Sequence, residues 1–270
     1  MAPATPDDAL ATMLEPLLRS PASAAVLTDI DGTLAPVADR PEQAAVPDAA
    51  RAALAELSGR FAVVGCISGR RAEDARSLVG IEGISYAGNH GLELLLPGDG
   101  EPRLDASLQG RDRAAASFLA ALDGGALAGA GLRPEDKGPI QALHWRGVED
   151  ERAAEARARE IAAQAGRHGL EPRWGRKVLE LRPAGGGGKE AAVGALLADD
   201  RISAAIYGGD DRTDLDAFRR LRDLREEGRL RAAVCVGVNS LEAPAELAED
   251  ADVTVEGPPG WLAVLRALAG

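Results

Sequence analysis

Two carboxylates one residue apart, Asp29 and Asp31, stand in the hexapeptide TDIDGT (28–33). On an extended chain residues i and i+2 point to the same side, so both groups address one volume. Gly32 permits the tight turn that brings backbone N–H groups toward an anion. One carboxylate can attack phosphorus while the other carries the proton. Holding two like charges together is costly unless a divalent cation shares the site. The plain alternative is a polar loop with an Asp-Gly turn. GGDDRTD (208–214) adds Asp210, Asp211 and Asp214, acids suited to a hard cation, with a helix N-cap as the alternative. ISGR (67–70) sets Ser68 beside a helix start, a place that can hold phosphate or simply be capped. Lys189 follows four glycines at the mouth of a helix, where a solvated charge is the plain reading.

The segments around these residues predict how they are positioned. AAVLTDI (24–30), FAVVGCISG (61–69), AAIYGGD (204–210) and AAVCVGV (232–238) are short apolar runs, three of them ending at the candidate residues. Helical stretches alternate with them: 47–60, 70–80, 189–199, 213–228 and 261–270. ISYAGNHGLELLLPG (84–98) reads as strand, turn, strand. This order predicts an α/β fold, a Rossmann-like parallel sheet with helices on both faces. The four motifs then gather at strand ends.

Residues 107–184 follow another order: a helix (111–124), a hairpin (132–146), a long helix (149–166) and two strands, LEPRW and KVLELRP. That predicts an inserted α/β cap of helices on an antiparallel sheet, with 1–106 and 185–270 forming the core. Its Gly-rich return, AGGGG (184–188), is a hinge by composition, and a lid over strand ends is a closure device.

With a net charge of −12 over 270 residues, nucleic acid and anionic lipid are disfavoured as partners. Cys66 and Cys235 sit in apolar runs and read as reduced, which fits a cytoplasmic protein. No leader peptide or membrane span is read from the sequence, and a monomer is the favoured state, although oligomeric state is not legible.

Taken together, D-x-D-G-T, Ser, Lys and D-D-x-x-D in this order resemble the haloacid dehalogenase superfamily of phosphotransferases. More finely, TDIDGTL, ISGR, AGNHG, GDDRTDLDAF, VLELRP and EDKGPIQALHWR resemble trehalose-6-phosphate phosphatases. Leu215 stands where those enzymes commonly carry Glu, and Glu190 where Gly follows the lysine. The resemblance implies a phosphatase acting on a sugar phosphate, with Asp29 as nucleophile forming an aspartyl phosphate and Asp31 as acid and then base. It implies Mg²⁺ on Asp29, the Asp31 carbonyl and Asp210, with Asp211 and Asp214 in support. Gly32, Thr33, Ser68, Gly69, Arg70 and Lys189 would hold phosphate. In the cap, Glu135, Lys137, Arg146 and Glu180 would grip the sugar and Arg182 serve the phosphate side. His90, in GNHG, would touch substrate or cap. Lys177 reads as a surface ion pair, and Trp145 and Trp174 as core. Alternatives are a phosphatase for another disaccharide or pseudo-disaccharide phosphate, a catalytically silent sugar-phosphate sensor and a phosphomutase.

Overall fold

The structure, a computed structural model, describes residues 6–38, 43–175, 177–240 and 243–270. Residues 1–5 of the N-terminal segment read above for a leader lie outside them. The chain divides into two compact units, Met1–Arg103 with Gly187–Gly270, and Leu104–Gly186.

The first unit opens with α1 (Pro6–Arg19), β1 (Ala24–Thr28), α2 (Asp48–Ser58), β2 (Val63–Ile67), α3 (Ala72–Val79), β3 (Ser85–Gly88), β4 (Glu93–Leu95) and the short β5 (Arg103–Leu104) at the boundary. The second unit holds α4 (Ala114–Ala120), α5 (Gly124–Gly129), β6 (Arg133–Lys137), β7 (Ile140–His144), α6 (Glu151–Arg167), β8 (Leu170–Gly175) and β9 (Val178–Pro183). The first unit then resumes with α7 (Lys189–Leu196), β10 (Ala204–Gly209), α8 (Asp214–Glu226), β11 (Ala232–Asn239), α9 (Ala245–Asp250), β12 (Val253–Glu256) and α10 (Gly257–Ala269).

The large sheet has the order β12-β11-β10-β1-β2-β3-β4-β5. Its central pairs are parallel, and β4 turns back antiparallel on β3. All five residues of β1 are buried, as expected for a parallel strand covered on both faces. Ala24 and Val26 face a core built with α1, α2, α3 and α10; Ala25 and Leu27 face one built with α7, α8 and α9. Because β1 lies between β2 and β10 in register, the residues just beyond these three strands meet at one sheet edge.

The second unit is a four-stranded antiparallel sheet, β6-β7-β9-β8. Leu143, Leu179 and Leu181 pack on one face against Ala115, Leu119, Ala158 and Ile161 from α4 and α6. The other face is charged: Glu135 pairs with Ala142, Ala142 with Glu180, and Glu180 with Arg173. The helix expected over 111–124 is the shorter α4, and a second helix, α5, begins where it was expected to end. The Asp123 side chain accepts a bond from Gly125 N and starts α5 afresh, and two glycines there are weak helix formers. Cys66 and Cys235 are buried and free. Among the described residues no helix is long and apolar enough to cross a membrane.

Candidate active site

Asp29 follows β1 directly and is 5 % exposed. Its backbone N–H is tied to Gly208 O (2.9 Å) and its carbonyl accepts from the Thr28 hydroxyl (2.7 Å). That hydroxyl in turn accepts from Trp261 Nε1 (2.9 Å), a buried indole from α10. Trp261 reaches it by crossing Gly208, where a Cβ would lie 2.6 Å from the indole ring. The backbone of Asp29 is thus fixed from beneath.

Its side chain is fixed from the start of α7. Lys189 Nζ, 2 % exposed, donates to Asp29 Oδ1 (2.9 Å) and to Asp214 Oδ1 (2.6 Å). Asp214 is fully buried and carries four donors: Lys189 and the Tyr207 hydroxyl (2.5 Å) on Oδ1, Asp210 N (3.0 Å) and Asp211 N (2.9 Å) on Oδ2. A carboxylate has about four lone-pair sites, so Asp214 is saturated. Gly209 makes room for it, since a Cβ there would lie 2.2 Å from its carboxyl carbon.

Asp210, 6 % exposed, accepts from the Thr33 hydroxyl (2.9 Å). Gly32, at φ +90°, lets this carboxylate lie against the Asp29 loop; a Cβ at that position would stand 2.0 Å from Asp210 Oδ2. Asp29, Asp210 and Asp214 each offer an oxygen within 4.8 Å of the others. Burial first, and then the neighbouring carboxylates against the opposing pull of Lys189, push Asp29 well above the ordinary range. Asp210 is pushed up to about 7, by burial and then by Asp214. Burial would lower Lys189, but Asp214 and Asp29 outweigh it and hold the ammonium charged. One ammonium cannot balance three ionised carboxylates, which is the crowding that pushes Asp29 and Asp210 up, and an all-oxygen donor set of this kind fits a hard divalent cation. With Asp214 saturated, Asp29 and Asp210 are the better ligands. Asp211 Oδ1 accepts from Thr213 N (2.7 Å) and the Thr213 hydroxyl (2.6 Å), the capping arrangement at the start of α8.

Asp31 is more open, its side chain 36 % exposed, and the Arg70 guanidinium forks onto it: Nε to Oδ2 and Nη2 to Oδ1, both 2.7 Å. Arg70, expected as a phosphate holder, is therefore engaged by the candidate proton carrier. Ser68 is buried, and its hydroxyl accepts from Arg70 N (3.2 Å). The GNHG loop braces this turn. Asn89 N donates to Arg70 O (2.6 Å) and His90 N to Ser68 O (2.9 Å), and the His90 ring lies over Gly69, where a Cβ would be 2.8 Å from it. Asn89 and His90 both hold positive φ, 50° and 58°, a conformation that clusters at functional loops. Glu93 Oε2 locks the loop to α3 by accepting from Ala72 N (2.8 Å).

Sequence reasoning missed Tyr207, Trp261 and Glu93. Aromatics inside buried runs read as core, and no spacing marks their polar tips. The departures at Leu215 and Glu190 are structural here: Leu215, in the first turn of α8, packs into the core, and the Glu190 side chain accepts from Gly188 N (2.9 Å).

In the second unit, Lys137 pairs with Glu180 (2.7 Å) and Glu135 with His144 Nε2 (2.7 Å). Arg146 is exposed, just past β7. Arg182 is buried and donates to Gly186 O (3.0 Å). Lys177 pairs with Glu151. Trp145 is core as expected, but Trp174, expected as core too, is half-exposed on the edge strand β8, edge-on to Trp145 (6.1 Å).

The trehalose-phosphatase family model matches residues 27–251. The chain belongs to the trehalose-phosphatase family. It is 37 % identical over 209 residues to a trehalose-phosphate phosphatase of Mycobacterium avium, covering 73 % of this chain and 51 % of that protein. A probable trehalose-phosphate phosphatase of Oryza sativa is 33 % identical over 227 residues, 73 % of this chain and 59 % of its own length. An uncharacterized glycosyl hydrolase of Mycobacterium tuberculosis is 37 % identical over 211 residues, 73 % of this chain and only 15 % of that protein. These relatives are longer proteins, of which the chain spans little more than half or less. Among solved structures, the C-terminal domain of Candida albicans trehalose-6-phosphate phosphatase aligns at TM-score 0.73 and 20 % identity, covering 96 % of this chain and 97 % of that one. A haloacid dehalogenase-like hydrolase of Bacteroides thetaiotaomicron aligns at 0.58 and 14 %, covering 90 % and 98 %. The fold is therefore haloacid dehalogenase-like.

Proposed function

We propose that this chain is a Mg²⁺-dependent phosphatase that hydrolyses trehalose 6-phosphate to trehalose and phosphate. The observation that carries the reading is the Lys189 ammonium shared between Asp29 and Asp214 inside a buried acid cluster. Asp29 attacks phosphorus in line, forming an aspartyl phosphate as the P–O bond to the sugar breaks. Asp31, the more open carboxyl, gives a proton to the leaving sugar oxygen after the Arg70 fork on it has been released. Water then attacks the phosphoenzyme, Asp31 takes the water's proton, and phosphate leaves with Asp29 restored. Lys189 keeps positive charge beside the transferring oxygens, where it favours the spread charge of the transition state. Ser68 and the backbone at Gly32, Thr33 and Gly69 orient the phosphate. Until the fork is released, Arg70 fixes where the oxygens of Asp31 point. When bound, Mg²⁺ on Asp29, Asp210 and the Asp31 carbonyl supplies further charge neutralisation, with Asp211 and Asp214 supporting those ligands.

Choice of sugar falls to the cap, 104–186. Glu135, Lys137, Arg146 and Glu180 supply donors and acceptors that sugar hydroxyls can match, with Arg182 on the phosphate side and His90 at the core loop. A cytoplasmic, monomeric enzyme with no nucleic-acid or membrane partner completes the reading.

Phosphate release across trehalose 6-phosphate, sucrose 6-phosphate and glucose 6-phosphate, with Mg²⁺ and with chelator, tests it. The highest kcat/KM is expected for trehalose 6-phosphate, and chelator should abolish turnover. A higher kcat/KM on another ester assigns a different substrate, and full turnover without metal contradicts the cofactor.

A further inference from the structure

We propose that Tyr207 is a positioning residue for this reaction: its phenol holds Asp214 and, through Asp214, sets where the Lys189 ammonium stands beside Asp29. The inference rests on the reading of Asp29 and Lys189 as the phosphoryl-transfer pair. Tyr207 lies in β10 with its whole side chain buried. Its ring fills the core, edge-on to Phe218 at 5.9 Å. Its hydroxyl leaves that role, donating to Asp214 Oδ1 at 2.5 Å, the oxygen that also accepts Lys189 Nζ at 2.6 Å.

A carboxylate oxygen shared by a phenol and an ammonium binds each less strongly than it would bind one alone. Lys189 is thereby left able to reach Asp29 Oδ1, 2.9 Å away. Asp214 cannot swing to compensate, because Oδ2 is pinned by the N–H groups of Asp210 and Asp211. Without the phenol, Oδ1 belongs to Lys189 alone. The ammonium is drawn toward Asp214, and the nucleophile loses part of its counter-charge. Tyr207 acts through Asp214 rather than on the reacting atoms. A phenylalanine would pack equally well in a strand whose only task was burial, so the oxygen is the informative atom.

Tyr207→Phe removes that oxygen and keeps the ring. Its kcat on trehalose 6-phosphate should fall about tenfold, the scale of one hydrogen bond to a charged group. KM and the Mg²⁺ concentration for half-maximal activity should stay unchanged, since the cap residues and Asp210 are untouched. The ¹⁵N–¹H signal of the buried Lys189 ammonium, assigned by its loss in Lys189→Met, should shift in the same variant. Phe218→Leu, which loosens the ring packing and keeps the phenol, should lower Tm without the tenfold loss. Wild-type kcat with an unshifted ammonium signal in Tyr207→Phe overturns the proposal, and so does an equal kcat loss in Phe218→Leu. Should Tyr207→Phe fail to fold, 3-fluorotyrosine labelling reports on the two tyrosines, Tyr86 and Tyr207. Inorganic phosphate with Mg²⁺ should then move the Tyr207 ¹⁹F signal and leave Tyr86, bonded to Ile81 O, in place; a Tyr207 signal that stays still overturns the proposal. A wild-type chain that cleaves no phosphate ester refutes the phosphatase reading instead, and the ammonium signal still decides the role of Tyr207.

Discussion

The network of Asp29, Lys189 and Asp214 beyond β1 and β10 is sealed from water, with Lys189 at 2 % exposure and Asp214 at 0 %, whereas on the charged face of the second unit's sheet Glu135 and His144 stand 46 % and 31 % exposed by side chain. Both regions are built from ion pairs, but the pairs behave differently. A buried charge stripped of its partner costs several kcal/mol, so the core network has one arrangement. Half-exposed pairs contribute little and exchange readily with water or with a ligand's hydroxyls. Fixed charge suits a transition state that forms always in the same place. Exchangeable pairs suit recognition, where sugar hydroxyls must replace the partners already present.

The largest break should come from Asp29→Asn. The shape is kept and the nucleophile is lost, so phosphate release should fall on the order of 10⁴-fold or more. Retained turnover would move the covalent step to another residue. Circular dichroism should show an intact fold, because Lys189 keeps Asp214.

Lys189→Met comes next. It leaves Asp29, Asp210 and Asp214 without their ammonium, and kcat should drop about 10²–10³-fold. Stability should fall by about 3–5 kcal/mol in denaturant unfolding, since the carboxylates remain buried and unpaired. Added Mg²⁺ should raise Tm more in this variant than in wild type. An unchanged unfolding midpoint would contradict the network.

The smallest effect in the core belongs to Trp261→Phe. It removes the indole N–H from Thr28 but leaves the Thr28 hydroxyl on the Asp29 carbonyl. A cost of about 1–2 kcal/mol in stability is expected, with kcat within about threefold of wild type. A kcat loss as large as that of Lys189→Met would mean that the brace beneath the nucleophile governs chemistry, not only stability.

The contrast between regions also decides what could be read from sequence. Parallel strands buried on both faces leave continuous apolar runs, and the acids at their ends stand out, so Asp29, Asp31 and Asp210 were legible with their strands. Tyr207 and Trp261 were not, because in a buried run the polar tip of an aromatic has no signature. Arg70 was legible as a cation at a strand end, but its fork on Asp31 depends on a pairing 39 residues apart. The short edge strand β12 and helix α9 carry too few residues to show a period. In the cap, the hairpin and the long helix were plain from alternation and spacing, while the pairing of Lys137 with Glu180 needs the sheet order β6-β7-β9, which no local pattern encodes. For the cap residues only the family resemblance pointed to a role.

The central claim is a division of labour between the sealed network and the exchangeable one. The most direct test is the ratio of kcat/KM for trehalose 6-phosphate to kcat/KM for p-nitrophenyl phosphate, in wild type and in Glu135→Gln, which alters the half-exposed pair with His144. The small ester presents phosphate to the core and no sugar hydroxyls to the cap. Glu135→Gln should lower the ratio about tenfold or more, the scale of a hydrogen bond to a charged group, with the p-nitrophenyl phosphate rate near wild type. An equal fall on both substrates, leaving the ratio unchanged, would contradict the account.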